Sequence, residues 1–167
     1  ISRTHFTRED LAEHICRIVD KYGVPHNLIE LELTESAFFD DKQMLLNTVS
    51  RMQELGFIVS MDDFGSGYSS LNSLKELRLD VLKIDGEFFR GLDAETFREG
   101  NDLEERGLLI VAEVIDLAKK LNMQIVAEGI ENREQVDFLV SQECDLIQGY
   151  FFAKPMPVEE YEEKYCG

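Results

Sequence analysis

The sequence predicts an α/β fold of parallel strands: a TIM-like (β/α)8 barrel of which this chain supplies a part. Three observations lead there. Short β-rich runs alternate with helical segments along the whole chain, the pattern of strand–helix–strand units with right-handed crossovers. Four of those runs carry or run into carboxylates: Glu32 within 28–34, Asp62 and Asp63 after 57–61, Asp85 closing 81–85, and Glu128 after 123–127. Polar groups therefore end nearly every strand, as around a barrel rim, instead of gathering at the one switch point of an open doubly wound sheet. Several carboxylates at one place repel unless a cation neutralises them, and a divalent metal is the natural candidate. A complete barrel of this type has eight strands and about 250 residues. Five strands are legible in these 167 residues, so the remaining strands are expected upstream of Ile1.

The elements follow in order. Thr7 reads as an N-cap with Glu9 and Asp10 in the first turn. Leu11, Ile15, Ile18 and Val19 then recur at helical spacing up to Gly23. A strand is expected over about 28–34. The next helix runs from about Asp41 to Leu55, with Met44, Leu45, Val49 and Met52 on one face and Gly56 closing it. Strand 57–62 leads into a Gly/Ser-rich loop, 64–70, then a short helix near 71–77 and strand 80–84. Segment 86–107 is charged and poorly periodic, with Gly91, Gly100 and Gly107. It reads as an exposed, partly helical excursion before a long helix over 108–121. Strand 123–127, helix 132–141 and a short strand at 145–148 follow. After Pro155 and Pro157 comes a last acidic helix. No repeat or linker interrupts the chain, so 1–167 is expected to be one domain, or a piece of one.

Composition narrows the function. Apolar residues make up 44%, ordinary for a globular chain. The formal net charge of −17 disfavours nonspecific binding to DNA or an anionic membrane. The apolar stretch from Leu108 to Ala118 is broken by Glu113 and Asp116, so no direct membrane insertion is expected. Cys16, Cys144 and Cys166 show no zinc-ligand spacing and read as free thiols of a cytoplasmic protein. His5, His14 and His26 show no ligand spacing either, and read as surface or structural residues.

The run Met61-Asp62-Asp63-Phe64-Gly65-Ser66-Gly67-Tyr68-Ser69-Ser70-Leu71 resembles the DDFG(T/S)GYSSL signature of EAL-domain cyclic-di-GMP phosphodiesterases. Further signatures occur in the family's order. Glu32-Leu33-Thr34-Glu35-Ser36 resembles ExTES, Leu82-Lys83-Ile84-Asp85 resembles LKID, and Ala127-Glu128-Gly129-Ile130-Glu131 resembles AEGVE. Gln148-Gly149-Tyr150 with Pro155 resembles the QGYxFxxP ending. The resemblance covers essentially the whole chain. The EAL tripeptide itself has no counterpart here and is expected upstream. Ile1-Ser2 resembles the end of an Asn-hydrophobic-Ser motif whose Asn would immediately precede residue 1. The chain thus looks like the C-terminal two-thirds of an EAL domain, and this stretch alone is expected to be inactive. Two departures stand out. The connection from Lys83 to Glu128 is longer than usual, with the extra residues in 93–106. Glu143 stands where the family commonly has Gly.

The resemblance implies a bacterial hydrolase of cyclic-di-GMP signalling, cutting one phosphodiester to give pGpG with two Mg²⁺ or Mn²⁺ ions. It places Glu32, Asp62, Asp63 and Glu128 at metal-binding positions, and carboxylate oxygens suit such hard ions. It places Lys83 beside the attacking water. The residue's own setting, a charge inside an apolar strand run, equally fits an ordinary buried ion pair. Glu128 is also a candidate general base, and Gln148 a water-positioning or substrate-binding residue or simply a polar strand end. Glu131 is either an anchor of the Asp62–Leu71 loop or an acid favoured at a helix N-terminus. Asp85 reads equally as a local cap. The expected partners are cyclic-di-GMP, a second copy in a homodimer, and upstream sensor or GGDEF domains. The alternative reading is a catalytically inactive EAL domain acting as a cyclic-di-GMP receptor or protein-interaction module.

Overall fold

The computed structural model describes residues 11–34, 42–65, 71–90 and 102–167. The expected Thr7 cap with its acidic turn, Glu35, the loop residues 66–70 and the glycines at 91 and 100 lie outside them. The described elements alternate in chain order: α1 (Leu11–Lys21), β1 (Glu30–Thr34), α2 (Lys42–Glu54), β2 (Ile58–Phe64), α3 (Leu71–Glu76), β3 (Val81–Ile84), α4 (Asp102–Lys120), β4 (Gln124–Ala127), α5 (Arg133–Ser141), β5 (Leu146–Ile147) and α6 (Val158–Tyr165). All four strand pairings are parallel, and the spatial order is the sequence order, β1-β2-β3-β4-β5. A doubly wound sheet reverses its order part-way. Monotonic order is that of a barrel wall, as the strand-end pattern predicts.

The core lies between the sheet and its helices. One face of each of the first four strands is apolar and buried: Leu31 and Leu33, Val59 and Met61, Leu82 and Ile84, Ile125 and Ala127. Against them pack Leu45, Val49 and Met52 of α2, Val111, Ile115 and Ala118 of α4, and Val136 and Leu139 of α5. Those helical positions recur three, four and seven residues apart, which puts them on single faces. Two aspartates just before strands perform the same service. Asp80 Oδ2 accepts the Val59 N–H at 2.8 Å, and Asp145 Oδ2 accepts the Ile125 N–H at 2.8 Å. Each ties the start of one strand to the preceding neighbour and satisfies a donor that the ladder leaves open.

Two expectations change. The long helix α4 begins at Asp102 rather than 108, with Gly107 inside it. A Cβ at Gly107 would meet nothing within 4 Å, so the glycine there leaves helical propensity, not packing, as the local cost. The segment after β3 is also not wholly exposed. Gly86–Phe89 forms a 3-10 turn, and Phe89 is completely buried. The departure at Glu143 has a backbone explanation. Its φ is +55, the left-handed region that glycine adopts without cost. Glu143 adopts it at the end of α5, paired with Lys119 at 3.2 Å.

Leu33 is fully buried while Leu28 is 70% exposed. Leu33→Ala should therefore cost about 2–5 kcal/mol of unfolding free energy. Leu28→Ala should stay within roughly 0.5 kcal/mol. Urea denaturation of the two variants checks this difference.

Candidate active site

Paired residues of parallel strands share a face, and alternate residues share a face within a strand. Leu33 pairs with Met61, Met61 with Leu82, and Leu82 with Ile125, all on the helix-facing side. The opposite side must then carry Glu32 and Thr34, Ser60 and Asp62, Val81 and Lys83, and Val126. Glu128 continues the β4 alternation, and its N–H donates to Ile84 O at 3.0 Å. The candidate residues of β1, β2 and β3, with Glu128 just past β4, thus converge at the C-terminal ends of the strands.

Lys83 is their centre. It is 8% exposed. Its Nζ donates to Glu32 Oε1 and lies 2.9 Å from Glu128 Oε1 and 3.2 Å from Asp62 Oδ1. Burial opposes the lysine's charge, but hydrogen bonds to Glu32 and Glu128 outweigh it and hold the ammonium's pKa above the usual lysine range. Lys83 thus has three carboxylates as ion-pair partners. Burial raises the Glu128 pKa; Lys83 lowers it, and the Asp62 and Glu32 charges add to the rise. Glu128 ends with a raised value, as a carboxyl held among like charges should.

Asp63 departs from the strand's regular alternation. The β2–β3 register shifts between Met61 and Phe64, and Asp63 takes φ +57. Aspartate tolerates that left-handed conformation better than most residues. Burial, the charges of Asp62 and Asp85 and a hydrogen bond with Asp85 raise the Asp63 pKa, against the pull of Lys83. Asp85 is itself a cap: its Oδ1 accepts the Glu87 N–H at 2.6 Å and closes the 3-10 turn. The two aspartates after and within the strands thus form a second acidic pair beside the Lys83 cluster.

The loops carrying these groups are tightly held. Gly86 and Gly129 approach so closely that a Cβ on Gly129 would lie 3.0 Å from Gly86 Cα. The buried Gln135 donates through Nε2 to Phe89 O at 2.8 Å and accepts the Glu131 N–H at 2.8 Å through Oε1. It forms a capping box with Asn132 as well. Glu131 lies exposed at this α5 entrance. Of the Asp62–Leu71 loop that it is expected to anchor, residues 66–70 lie outside the described segments. Gln148 is exposed at the end of β5 and borders a groove with Tyr150, Lys154 and Tyr161.

Sequence reasoning missed Ser60 and Gln135. Ser60 is completely buried on the site face, and its Oγ has no hydrogen-bond partner. The signal was present: an isolated serine inside the apolar run Phe57–Met61. Asp62 Oδ1 is likewise buried and, beyond the ion-pair contact with Lys83, accepts no aligned hydrogen bond. A buried, under-satisfied carboxylate oxygen amid excess negative charge is what a cation ligand presents before the cation binds. The donor set is all oxygen, which fits hard divalent ions rather than soft ones.

The EAL domain family model matches residues 1–155. The chain belongs to the EAL domain family. The cyclic di-GMP phosphodiesterase NbdA of Pseudomonas aeruginosa is 36% identical over 93% of this chain. This EAL chain spans only 19% of that relative's length. The solved structure of the PaMucR phosphodiesterase in complex with c-di-GMP superposes with a TM-score of 0.80 at 31% identity, over 96% of this chain and 62% of that one. BlrP1 of Klebsiella pneumoniae, solved with manganese and cy-diGMP, superposes at 0.75 with 26% identity, over 89% of this chain and 36% of that one. A calcium complex of BlrP1 superposes at 0.76. Divalent metals thus occur with the dinucleotide in a solved EAL relative. No helix among the described residues is long and apolar enough to cross a membrane.

The raised pKa of Glu128 has a consequence for stability. Between the ordinary glutamate pKa and the raised one, the folded chain holds more protons than the unfolded chain. Stability must fall as pH rises through that window. Asp63 acts in the same sense from the ordinary aspartate value upward. In metal-free buffer, Glu128→Gln should flatten this pH dependence and make the folded chain relatively more stable above the window. Denaturant unfolding across pH checks the slope.

Proposed function

We propose that this EAL chain hydrolyses cyclic-di-GMP, opening one 3′–5′ phosphodiester to give linear pGpG with two divalent ions, Mg²⁺ or Mn²⁺. The observation that carries the reading is the convergence of Glu32, Asp62 and Glu128 on one buried ammonium, with Asp62 Oδ1 left under-satisfied. Family membership and relatives named as cyclic di-GMP phosphodiesterases support it.

In this reading Glu32, Asp62, Asp63 and Glu128 hold the metals. Such ions supply Lewis acidity toward a phosphodiester oxygen and acidify a water. The protein's own part is electrostatic and geometric. Lys83 keeps the carboxylates gathered against their mutual repulsion, and its positive charge offsets that of a bound phosphate. Glu128 is in addition the candidate general base beside the metals. Gln148 offers an amide at the groove edge for a water or the dinucleotide. Glu131 and Gln135 keep the loop after β4 in place. A homodimer and attached sensor or GGDEF domains complete the proposal, in keeping with the much greater length of the NbdA relative.

Asp62→Asn and Glu128→Gln should each lower turnover of cyclic-di-GMP at least about 100-fold while leaving the circular-dichroism spectrum unchanged, measured by pGpG release from the full-length protein. Binding of the dinucleotide without turnover in the unaltered protein would replace the enzyme reading by a receptor.

Mg²⁺ or Mn²⁺ should restore turnover after metal removal, and Ca²⁺ should not. Calcium takes longer, more variable coordination and holds the reacting groups less closely. Equal rates with Ca²⁺ and Mg²⁺ in the same assay would contradict a site that depends on close octahedral geometry.

A further inference from the structure

A second group of ligand-type side chains lies at the other end of β1, where the chain enters the strand. Cys16 and Asp20 sit one helical turn apart on α1, so they share a face. The helix ends at Lys21. Gly23, at φ +64, reverses the chain, and Pro25 leads into the turn His26–Leu28 just before β1. That reversal brings the His26 ring back over the last turn of α1. His26 Nε2 lies 2.9 Å from Asp20 Oδ1 and 3.9 Å from Cys16 Sγ. Cys16 Sγ lies 3.4 Å from Asp20 Oδ2. One ligand atom from each residue lies within 4.8 Å of the other two.

We infer that Cys16, Asp20 and His26 form a zinc site, separate from the carboxylate centre, with solvent in its fourth position. The spacing carries the inference first. A tetrahedral zinc ion, with Zn–S of about 2.3 Å and Zn–N or Zn–O of about 2.0–2.1 Å, sets its ligand atoms about 3.3–3.6 Å apart. The three contacts, two of which reach different oxygens of Asp20, run from 2.9 to 3.9 Å around that range, so ligation needs small side-chain shifts that let one Asp20 oxygen serve with both neighbours.

The histidine is oriented as a metal ligand is. His26 Nδ1 lies 2.6 Å from the Leu55 carbonyl oxygen. Since a carbonyl only accepts, Nδ1 carries the proton, which leaves Nε2 to face the other two groups. A ring nitrogen fixed by a backbone carbonyl while its partner turns to the metal is the usual arrangement around ligating histidines. The ring also stacks on Phe57, with centroids 4.4 Å apart and planes 10° from parallel. Two residues of the connection between α2 and β2 therefore hold it in this pose.

Charge and softness fit as well. A thiolate, a carboxylate and a neutral imidazole together balance one divalent ion. Without metal, the thiol proton and the Nε2 proton lie in contact with Asp20; zinc replaces both, and they pass to solvent. The nearby cation, Arg51 of α2, is engaged by Glu13 at 2.8 Å and Glu54 at 3.2 Å. A sulfur ligand disfavours Mg²⁺, Mn²⁺ and Ca²⁺ and selects zinc-like ions. The hard ions that suit the carboxylate centre therefore do not compete for this site. Zinc here would clamp the end of α1 to the turn before β1 and stabilise the folded chain.

Co²⁺ substitutes for zinc and reports a thiolate ligand by a charge-transfer band in the near ultraviolet. The full chain is titrated with Co²⁺ in excess Mg²⁺, which fills the carboxylate centre. The expected result is one equivalent of tetrahedral Co²⁺ with that band, displaced by Zn²⁺. Cys16→Ser should abolish the band, Cys166→Ser should leave it intact, and His26→Gln should weaken Co²⁺ binding at least about 10-fold. Absence of the band, or its persistence in Cys16→Ser, overturns the proposal. If Cys16→Ser does not fold, alkylation of the unaltered chain decides. Zn²⁺ should protect Cys16 from a thiol reagent, and a chelator should restore reactivity. Equal labelling with and without Zn²⁺ overturns the site.

Discussion

Everything on the inner side of this sheet is arranged around one buried ammonium. Three carboxylates, from β1, β2 and the end of β4, cannot share so small a space unaided. Lys83, from the strand between the latter two, supplies the opposing charge from within the chain. One lysine against three acids leaves an excess of negative charge, and that imbalance makes the site receptive to cations. A second lysine beside Lys83 would halve that excess and weaken the site's attraction for cations. A neutral residue in place of Lys83 would leave the acids unopposed and favour their protonation.

Such a balance requires close placement, and the surrounding backbone supplies it. The loops after β3 and β4 touch through Gly86 and Gly129, where side chains would intrude. At Gly149 a Cβ would sit 2.0 Å from Ile130 O, so the loop after β5 is pressed against the same region. Gln135 binds the loops together from beneath, with its amide satisfied on both sides. A buried polar network with every member satisfied is a rigid one. The carboxylates therefore stand on backbone that has little room to move apart.

How much of this was legible in the sequence varied with the distance over which each signal acts. Strand order and the carboxylate rim were legible because alternation and run-ending acids are local patterns. That Lys83 needed a partner was also legible from its apolar neighbours. The number of partners was not, because it depends on register across four strands. Helix α4 was placed too late because charge around 102–106 masked its periodicity and Gly107 suggested a break. The burial of Phe89 depends on the packing of its 3-10 turn against α4, far along the chain. The association of Cys16, Asp20 and His26 was hidden for another reason: its ligands straddle a helix end and a left-handed turn. No fixed spacing announces such a grouping. Glu143 shows the converse. Its departure from the family pattern was visible at once, but its meaning required the backbone angle.

The alternation of strand residues has a consequence for how this protein can change. Positions facing the helices carry the hydrophobic core, and positions on the opposite face carry the candidate site residues, with almost no residue serving both. Selection on stability and selection on activity therefore act on interleaved but separate sets of codons. A few substitutions on the inner set can silence the chemistry while the outer set keeps the scaffold intact. In such a wall, a lineage can pass from cutting a ligand to merely sensing it without crossing an unfolded intermediate.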